Sequence, residues 1–160
     1  MTASFKDNRK EFDKRIALLE QLGNSYVLIG FQTGEVTYSQ VKNNIRKKPG
    51  MVMAQIAAAN EFGTNHIPAR PFMRTSFDEN RQRINNIIAN EYDKILAGTS
   101  TIKRSLDLIG LFGTDLIQQK IRAIYVPPNA PSTIARKKSS KPLIDFGQMI
   151  QSVRHKTVIQ

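Results

Sequence analysis

The longest amphipathic segment of the sequence constrains the fold most. Its apolar side chains recur at the spacing of one helix face: Ile102, Leu106, Ile109, Leu116, Ile117, Ile121 and Ile124. Gly98 ends the segment before it, and Thr99 or Ser100 is the predicted helix cap. Gly110 and Gly113 lie inside this helix, where each glycine costs about 1 kcal/mol relative to alanine. Either the helix breaks there or a neighbouring element packs closely against it, and we favour close packing.

The N-terminal part of the chain predicts one helix and two strands. Apolar residues from Phe5 to Leu19 share a helix face, and Gly23 with Asn24 predicts the end of that helix. The segment YVLIGF and the residues after the Gln-Thr-Gly turn are typical of strands, because β-branched and aromatic residues are enriched there. We therefore predict a β-hairpin near residues 25–41.

Helices are also predicted in the middle of the chain. Residues 51–62 are rich in Ala and Met, which are strong helix formers, and Gly63 supplies a left-handed C-cap. A long helix then extends to Leu96. It begins either at Pro71, as a first-turn proline, or at a capping box of Ser76 and Glu79.

The last part of the chain predicts a short helix within residues 143–153 and a strand within residues 153–159. The resulting fold class is α+β. We expect an antiparallel sheet, made of the hairpin near 25–41 and the C-terminal strand, packed with long α-helices. With 160 residues, the chain predicts one domain spanning 1–160.

Positive charge is concentrated in the last quarter of the chain. The net charge is +11, from 24 Lys and Arg against 13 Asp and Glu. Residues 120–160 carry 8 basic and 1 acidic side chains, whereas residues 51–119 carry 7 of each. The prolines and basic residues of segment 127–147 predict an extended loop or arm, which is either basic for solubility or a contact site. The candidate contacts with an acidic partner or DNA are Arg136, Lys137, Lys138 and Lys141.

Signs of catalysis are few in this sequence. The chain has no Cys, which excludes disulfides, thiol nucleophiles and cysteine-ligated metals. Neither of its histidines, His66 and His155, has a second ligand at metal-site spacing. Carboxylate pairs such as Glu91 and Asp93 lie beside basic residues and predict solvated helix faces. We therefore expect a protein that is not an enzyme, with no catalytic residue, no metal and no cofactor.

Location and nucleic-acid binding are constrained only weakly by the sequence. The start of the chain lacks the apolar core of a signal peptide, and no apolar run approaches the ~20 residues that span a bilayer. We therefore expect a location in the cytoplasm of the producing cell and no membrane partner. No helix-turn-helix, zinc-finger or aromatic RNA-binding signature is visible, so DNA binding would be non-specific contact with phosphates.

Two segments of the sequence resemble a known family. The first contains EFGT at residues 61–64 and IPARPFMR at residues 67–74, and the second contains Pro127-Pro128, STIARK and KPLIDFGQM. In this order they resemble tail-completion and head–tail joining proteins of tailed bacteriophages, and the related virion-morphogenesis proteins. The residues of the first motif are Glu61, Phe62, Gly63, Thr64, Pro68, Arg70, Pro71 and Phe72. Phe146 stands where that family commonly has Thr, and Phe cannot cap the following helix.

The resemblance implies an α+β subunit of a ring in the phage neck. Such proteins join or close the tail around the channel for the genome, so the implied location is the virion, reached from the host cytoplasm. The implied partners are further copies of the chain, six by family analogy, together with neck adaptors and the tail tube or terminator. Non-specific contact with genomic DNA is also implied. The alternatives are a tail-terminator protein that caps the tube and a non-catalytic DNA-binding accessory protein.

Two further expectations concern contacts. Arg70, confined between two prolines, is either an internal tie to a carboxylate such as Glu61 or a contact between subunits. The N-terminal helix, the basic 127–147 segment and the hairpin are expected to provide the contacts of the ring, because they lie outside the central helical pattern.

Overall fold

Seven helices and four strands form the part of the chain that a computed structural model describes, residues 9–32, 36–41, 44–145 and 147–160. The elements in chain order are α1 (Arg9–Asn24), β1 (Tyr26–Phe31), β2 (Val36–Val41), β3 (Asn44–Val52), α2 (Met53–Phe62), α3 (Phe72–Glu79), α4 (Arg81–Leu96), α5 (Ile102–Ala123), α6 (Pro131–Lys137), α7 (Gln148–Ser152) and β4 (Val153–Val158). The predicted α+β class is confirmed. The predicted helix start near Phe5 lies outside the described residues, and so does Phe146, which departs from the family pattern.

The strands pair differently from the predicted hairpin. β1 pairs antiparallel with β4, in a register that joins Tyr26 to Val158 and Phe31 to Val153. β2 pairs instead with β3, in a second two-stranded antiparallel sheet. The prediction that residues 25–41 form one hairpin was therefore wrong in its pairing, although both strands exist. The inner faces of β1 and β4 pack on α5, and a buried face specifies pairing more strongly than closeness in sequence does.

Helix α5 is unbroken, and both of its glycines meet the sheet. A Cβ on Gly110 would lie 2.6 Å from Cδ2 of His155 on β4, and a Cβ on Gly113 would collide with Cδ1 of Ile29 on β1. The expected close packing is thus confirmed. Because alanine at these positions would push the sheet away, the cost of glycine in the helix is offset by closer packing.

The core lies where α2, α3, α5 and α7 meet the sheet. Its buried apolar side chains are Met53, Ala57, Phe72, Ile117, Ile121, Leu143, Met149 and Val153. The ring of Phe72 is fully buried and packs edge-on against Phe31, with 6.1 Å between ring centroids. Leu143 belongs to the proline-rich segment, so that segment contributes to the core.

The long helix predicted to end at Leu96 is two helices, separated at Asn80. The backbone N–H of Asn80 bonds the carbonyl of Phe77 at 3.2 Å, and its φ and ψ of −113° and 15° lie outside the helical values. The first helix begins at Phe72, directly after Pro71, so the proline start is close to correct. The capping box was wrong, because the Ser76 hydroxyl lies inside α3 and donates to the Met73 carbonyl at 2.7 Å.

The 127–147 segment is not extended throughout. Pro131 begins α6, as a proline in the first turn can, and Lys138 ends this helix with a left-handed φ of 54°.

Helix α1 differs from every other long helix, since none of its 16 residues is buried. In the described part of the chain, no helix combines the length and hydropathy needed to cross a bilayer.

Candidate functional site

The first motif forms a turn between α2 and α3, and Glu61 fixes the start of α3. The Glu61 side chain is 4% exposed, and its two carboxylate oxygens accept the backbone N–H groups of Met73 and Arg74 at 2.8 and 3.0 Å. Pro71 precedes the helix and has no side-chain acceptor to offer. Glu61 therefore supplies the cap from α2, and its negative charge faces the positive end of the α3 dipole.

Gly63 and Thr64 shape the turn that follows α2. Gly63 has φ +78° and ψ 168°, a region open essentially only to glycine, so it ends the helix without the left-handed ψ expected from the sequence. A Cβ at this position would lie 3.0 Å from the backbone N of Ala69. The Thr64 hydroxyl accepts the backbone N–H groups of His66 and Ile67 at 3.2 and 3.0 Å. Pro68 lies exposed on the far side of this turn.

Arg70 joins the two motif segments. Its side chain is 3% exposed, and its Nε and Nη2 donate to the carbonyls of Pro127 and Pro128 at 2.8 and 3.0 Å. Its Nη1 donates to Oδ1 of Asn60 at 3.2 Å. Arg70 is thus the internal tie, but the predicted partner Glu61 was wrong. Both Glu61 oxygens are engaged by α3, and burial lowers the pKa of the Arg70 guanidinium.

Lys137 reinforces the same junction from the second segment. Its Nζ donates to the carbonyls of Lys141 and Pro142 at 3.3 and 3.2 Å, closing the loop after α6. Burial lowers the pKa of Lys137, the charge of Asp145 opposes this shift, and the charges of Arg70 and Arg136 add to it. Lys137 therefore points into the fold, and we name this arrangement of Glu61, Arg70 and Lys137 with their partners the motif junction.

The other three basic candidates are on the surface. Arg136, Lys138 and Lys141 are exposed, and the Lys141 ammonium lies 5.9 Å from the ring centroid of Tyr125. The sequence predicted four equivalent basic residues, and the structure divides them into one structural lysine and three surface charges. No periodicity or charge pattern in the sequence separates Lys137 from its neighbours.

An apolar groove opens beside the motif junction. It has a volume of about 580 Å³ and lies between the Phe31 end of β1, one face of α2 and the start of α3. The α2 face contributes three alanines, Ala54, Ala57 and Ala58. Phe62 of the first motif lies at the rim and is 75% exposed. Sequence analysis missed this groove, although Ala54, Ala57 and Ala58 share one helical face and were a usable signal.

A second buried carboxylate links α4 to α5. Glu91 is 6% exposed and accepts a hydrogen bond from the Ser105 hydroxyl at 2.8 Å and one from Lys94 Nζ at 2.5 Å. These two hydrogen bonds lower the pKa of the Glu91 carboxyl, and burial opposes them. The prediction that this carboxylate belongs to a solvated face was therefore wrong, although its pairing with Lys94 was correct.

The two histidines lie apart. His66 is exposed in the turn after α2, and His155 packs over Gly110 with its Nε2 4.0 Å from Oδ1 of Asp107. Hydrogen bonds from Lys103 and then Thr157 lower the pKa of Asp107, and the charge of His155 adds a smaller effect. Within the described ranges, no three His, Asp or Glu side chains form a group that could hold a metal ion.

Comparison with known proteins adds no relative: no family model, no curated protein and no solved structure matches this chain. The arrangement of the motif junction is therefore interpreted from its own chemistry. Its charged groups bind backbone amides and carbonyls, and Arg70 does so across 57 residues of sequence.

Proposed function

We propose that this protein is a structural subunit of the neck of a tailed bacteriophage, acting in tail completion or head–tail joining as part of a ring around the DNA channel. The observation that carries the proposal is the Arg70 bridge. The two segments that resemble the phage family are far apart in sequence, and the Arg70 side chain of the first binds the Pro127 and Pro128 carbonyls of the second. Because the two matching segments are in contact in the structure, the resemblance gives stronger support than two unconnected matches would.

The use of the motif residues also supports a structural role. Glu61 holds α3, Arg70 and Lys137 hold the loops around α6, and Phe72 is a core residue. Each charged group of the motif junction thereby fixes the path of the backbone. A subunit that transmits force between a head and a tail needs this kind of rigid connection between its surface segments.

The surface around α6 supports a role next to an acidic partner or DNA. Arg136, Lys138 and Lys141 project from a segment that Arg70 and Lys137 hold in place. Exposed cations on a fixed segment attract phosphates or acidic side chains without base recognition. The same observation favours a second candidate function, that of a non-catalytic DNA-binding accessory protein.

A genetic experiment tests the first proposal. The gene is deleted from the phage that encodes it, and the lysate is examined by electron microscopy and plaque titre. We expect unjoined heads and tails, with restoration by the wild-type protein supplied in trans. Overlong tails would assign the tail-terminator role instead. Joined, infectious particles without the protein would overturn the neck proposal.

A DNA-binding measurement separates the two candidate functions. The triple variant Arg136→Ala/Lys138→Ala/Lys141→Ala is compared with wild type for retention of duplex DNA over a salt series, with Lys10→Ala/Lys14→Ala/Arg15→Ala on α1 as the control of equal charge. Two results together support the accessory function. Wild type binds duplex DNA at sub-micromolar concentration and only the triple variant near α6 loses this binding, while the deletion phage still joins its particles. If both variants weaken DNA binding equally, the binding is general charge attraction, and the accessory function is rejected.

A further inference from the structure

The loop between α5 and α6 is exposed and apolar. Residues 124–130, with the sequence IYVPPNA, contain no charged side chain, and we name them the apolar loop. Val126 is 79% exposed, Tyr125 is 54% exposed, and Pro128 and Ala130 are also exposed. Contiguous exposed apolar residues mark interaction sites, whereas apolar residues exposed singly are ordinary. The apolar loop is therefore a candidate contact with a partner.

Hydrogen bonds from the rest of the fold hold the apolar loop in place. The buried guanidinium of Arg70 binds the carbonyls of Pro127 and Pro128. The Asn129 side chain donates to the Lys141 carbonyl at 3.2 Å, so the loop is tied to the turn after α2 and to the segment after α6. A surface segment that is fixed before binding loses less conformational entropy when a partner covers it. This rigidity favours binding through the loop.

Positive charge lies on both sides of the apolar loop. Four exposed cations flank it, one on α5 before the loop and three on or after α6: Arg122, Arg136, Lys138 and Lys141. Residues 120–144 contain no Asp or Glu. Among the residues that the structure describes, no ion pair involves any of the four cations. The loop and its flanking cations therefore form an apolar surface with a positive border.

A nucleic acid uses only part of this surface. Phosphates bind the cations but leave Val126, an exposed aliphatic side chain, without a contact. A base that stacks on Tyr125 competes with the Lys141 ammonium, which lies 5.9 Å from the centroid of that ring. A second copy of this chain is also a poor match, because it carries the same net charge of +11. An acidic protein segment with apolar side chains is complementary to both the loop and its border.

We propose that the apolar loop binds a short acidic segment of another protein, whose apolar side chains cover Tyr125 and Val126 and whose carboxylates meet the flanking cations. The inference rests on the proposed function for the need of a second virion protein, and it names the chemistry of that partner. A loop of seven residues is smaller than the roughly 800 Å² per partner of stable interfaces between globular proteins. The occupant is therefore a segment of peptide length, recognised as acidic motifs are by clusters of cations.

Selection from a peptide library tests this chemistry without assuming a sequence. Random peptides of about seven residues, which span the apolar loop when extended, are displayed on yeast and sorted for binding to the full chain. We expect at least about five-fold enrichment of peptides that place two or more carboxylates beside an aliphatic or aromatic side chain. No enrichment, or enrichment of peptides that lack the apolar residue, would overturn the proposal.

Two single substitutions test whether the most enriched peptide binds the apolar loop. Its affinity is measured by fluorescence anisotropy with wild type, with Val126→Asp and with Leu111→Asp, a control that makes the same charge change at an apolar position of α5 that is 56% exposed. We expect Val126→Asp to weaken binding about ten-fold and Leu111→Asp less than about two-fold, because only Val126 contacts the peptide. Equal weakening by the two variants means that net charge alone attracts the peptide, and it overturns the proposal.

The variant Tyr125→Ala keeps the test decisive if Val126→Asp fails to fold. It changes no charge and should weaken peptide binding at least about three-fold, so unchanged binding would place the peptide elsewhere and overturn the proposal. Duplex DNA and single-stranded oligothymidine are then competed against the peptide. If either binds more tightly than the peptide, and Tyr125→Ala weakens that binding, the occupant is a nucleic acid and the proposal fails.

These measurements are independent of the phage experiment, because they use the purified full chain and synthetic peptides. Peptide binding at the apolar loop beside a normal deletion phage would remove the neck role and leave the acidic contact standing. Unjoined heads and tails beside a failed peptide selection would keep the neck role and remove the contact.

Discussion

The motif junction and helix α1 use similar residues in opposite ways. In the junction, Glu61, Arg70 and Lys137 are turned inward and bind backbone groups of the adjoining helix and loops. In α1 the charged residues are on the surface, and an apolar face is exposed beside them. The difference indicates that the junction stabilises the fold, whereas α1, which has no buried side chain, contributes little to it. Substitutions in the junction should therefore change the free energy of unfolding more than substitutions in α1 do.

The largest effect is expected from Arg70→Ala. Arg70 is 3% exposed, and its loss leaves the carbonyls of Pro127 and Pro128 without their donors and opens a cavity, so we expect a loss of about 3 kcal/mol in the free energy of unfolding. Urea denaturation followed by circular dichroism measures it. Arg74→Ala is the matched control, because only the backbone N–H of Arg74 binds Glu61, and it should change stability by less than about 0.5 kcal/mol. Equal losses in the two variants would contradict the bridge.

A smaller loss is expected where α5 meets the sheet. Gly113→Ala places a methyl group against Cδ1 of Ile29, and we expect a net loss of about 1–2 kcal/mol because overpacking exceeds the gain in helix propensity. Ile29→Val removes the colliding atom. The double variant should therefore be more stable than the sum of the single effects predicts, by at least about 0.5 kcal/mol. Strict additivity in this double-mutant cycle would show that Gly113 is not held by contact with β1.

Glu91 gives a pH dependence with a definite sign. Its pKa in the folded state lies below the unfolded value because Lys94 and Ser105 donate hydrogen bonds to the ionised carboxylate. The stabilisation is therefore present in full above the unfolded pKa, about 4.3, and is lost as the pH falls through the lower folded value. The difference in unfolding free energy between wild type and Glu91→Gln should be largest at neutral pH and shrink on acidification. A difference that stays constant from neutral pH to pH ~3 would contradict this.

The smallest effect is expected in α1. Gly23→Ala meets nothing within 4 Å, so it should stabilise the monomer slightly, by up to about 0.5 kcal/mol, through helix propensity near the helix end. Thermal unfolding of the Gly23→Ala and Gly113→Ala variants is measured side by side. The same glycine-to-alanine change should raise the stability of the first variant and lower that of the second. A destabilising Gly23→Ala would indicate that α1 is packed more closely than its exposure shows.

Sequence patterns predicted what depends on neighbours along the chain. The face of α5, the end of α2 at Gly63 and the short helix before β4 follow from local periodicity and glycine chemistry, and all three are present. The two glycines of α5 also indicated close packing correctly. These features are local, so propensity and spacing contain the information needed to predict them.

The rest depended on partners distant in sequence. The partner of β1 is β4 and not β2, and both strands of this pair pack on α5, which is distant from β1 in sequence. The partners of Arg70 are backbone carbonyls, which every residue possesses and no motif distinguishes. Likewise Glu91 is buried because Ser105 of α5 faces it across the helix pair, a contact that the charge pattern of α4 alone does not contain.

The pairing of β1 with β4 has a consequence for how the chain folds. The register joins residue 31 to residue 153, so this sheet closes nearly the whole described chain into one loop. Ordering so long a loop costs entropy that is recovered only when the two strands meet, whereas α2 to α5 form from local contacts. The helices are therefore expected to form early, with the free edge of β1 open until the last strand arrives. During synthesis, β1 remains without its partner until β4 has emerged from the ribosome.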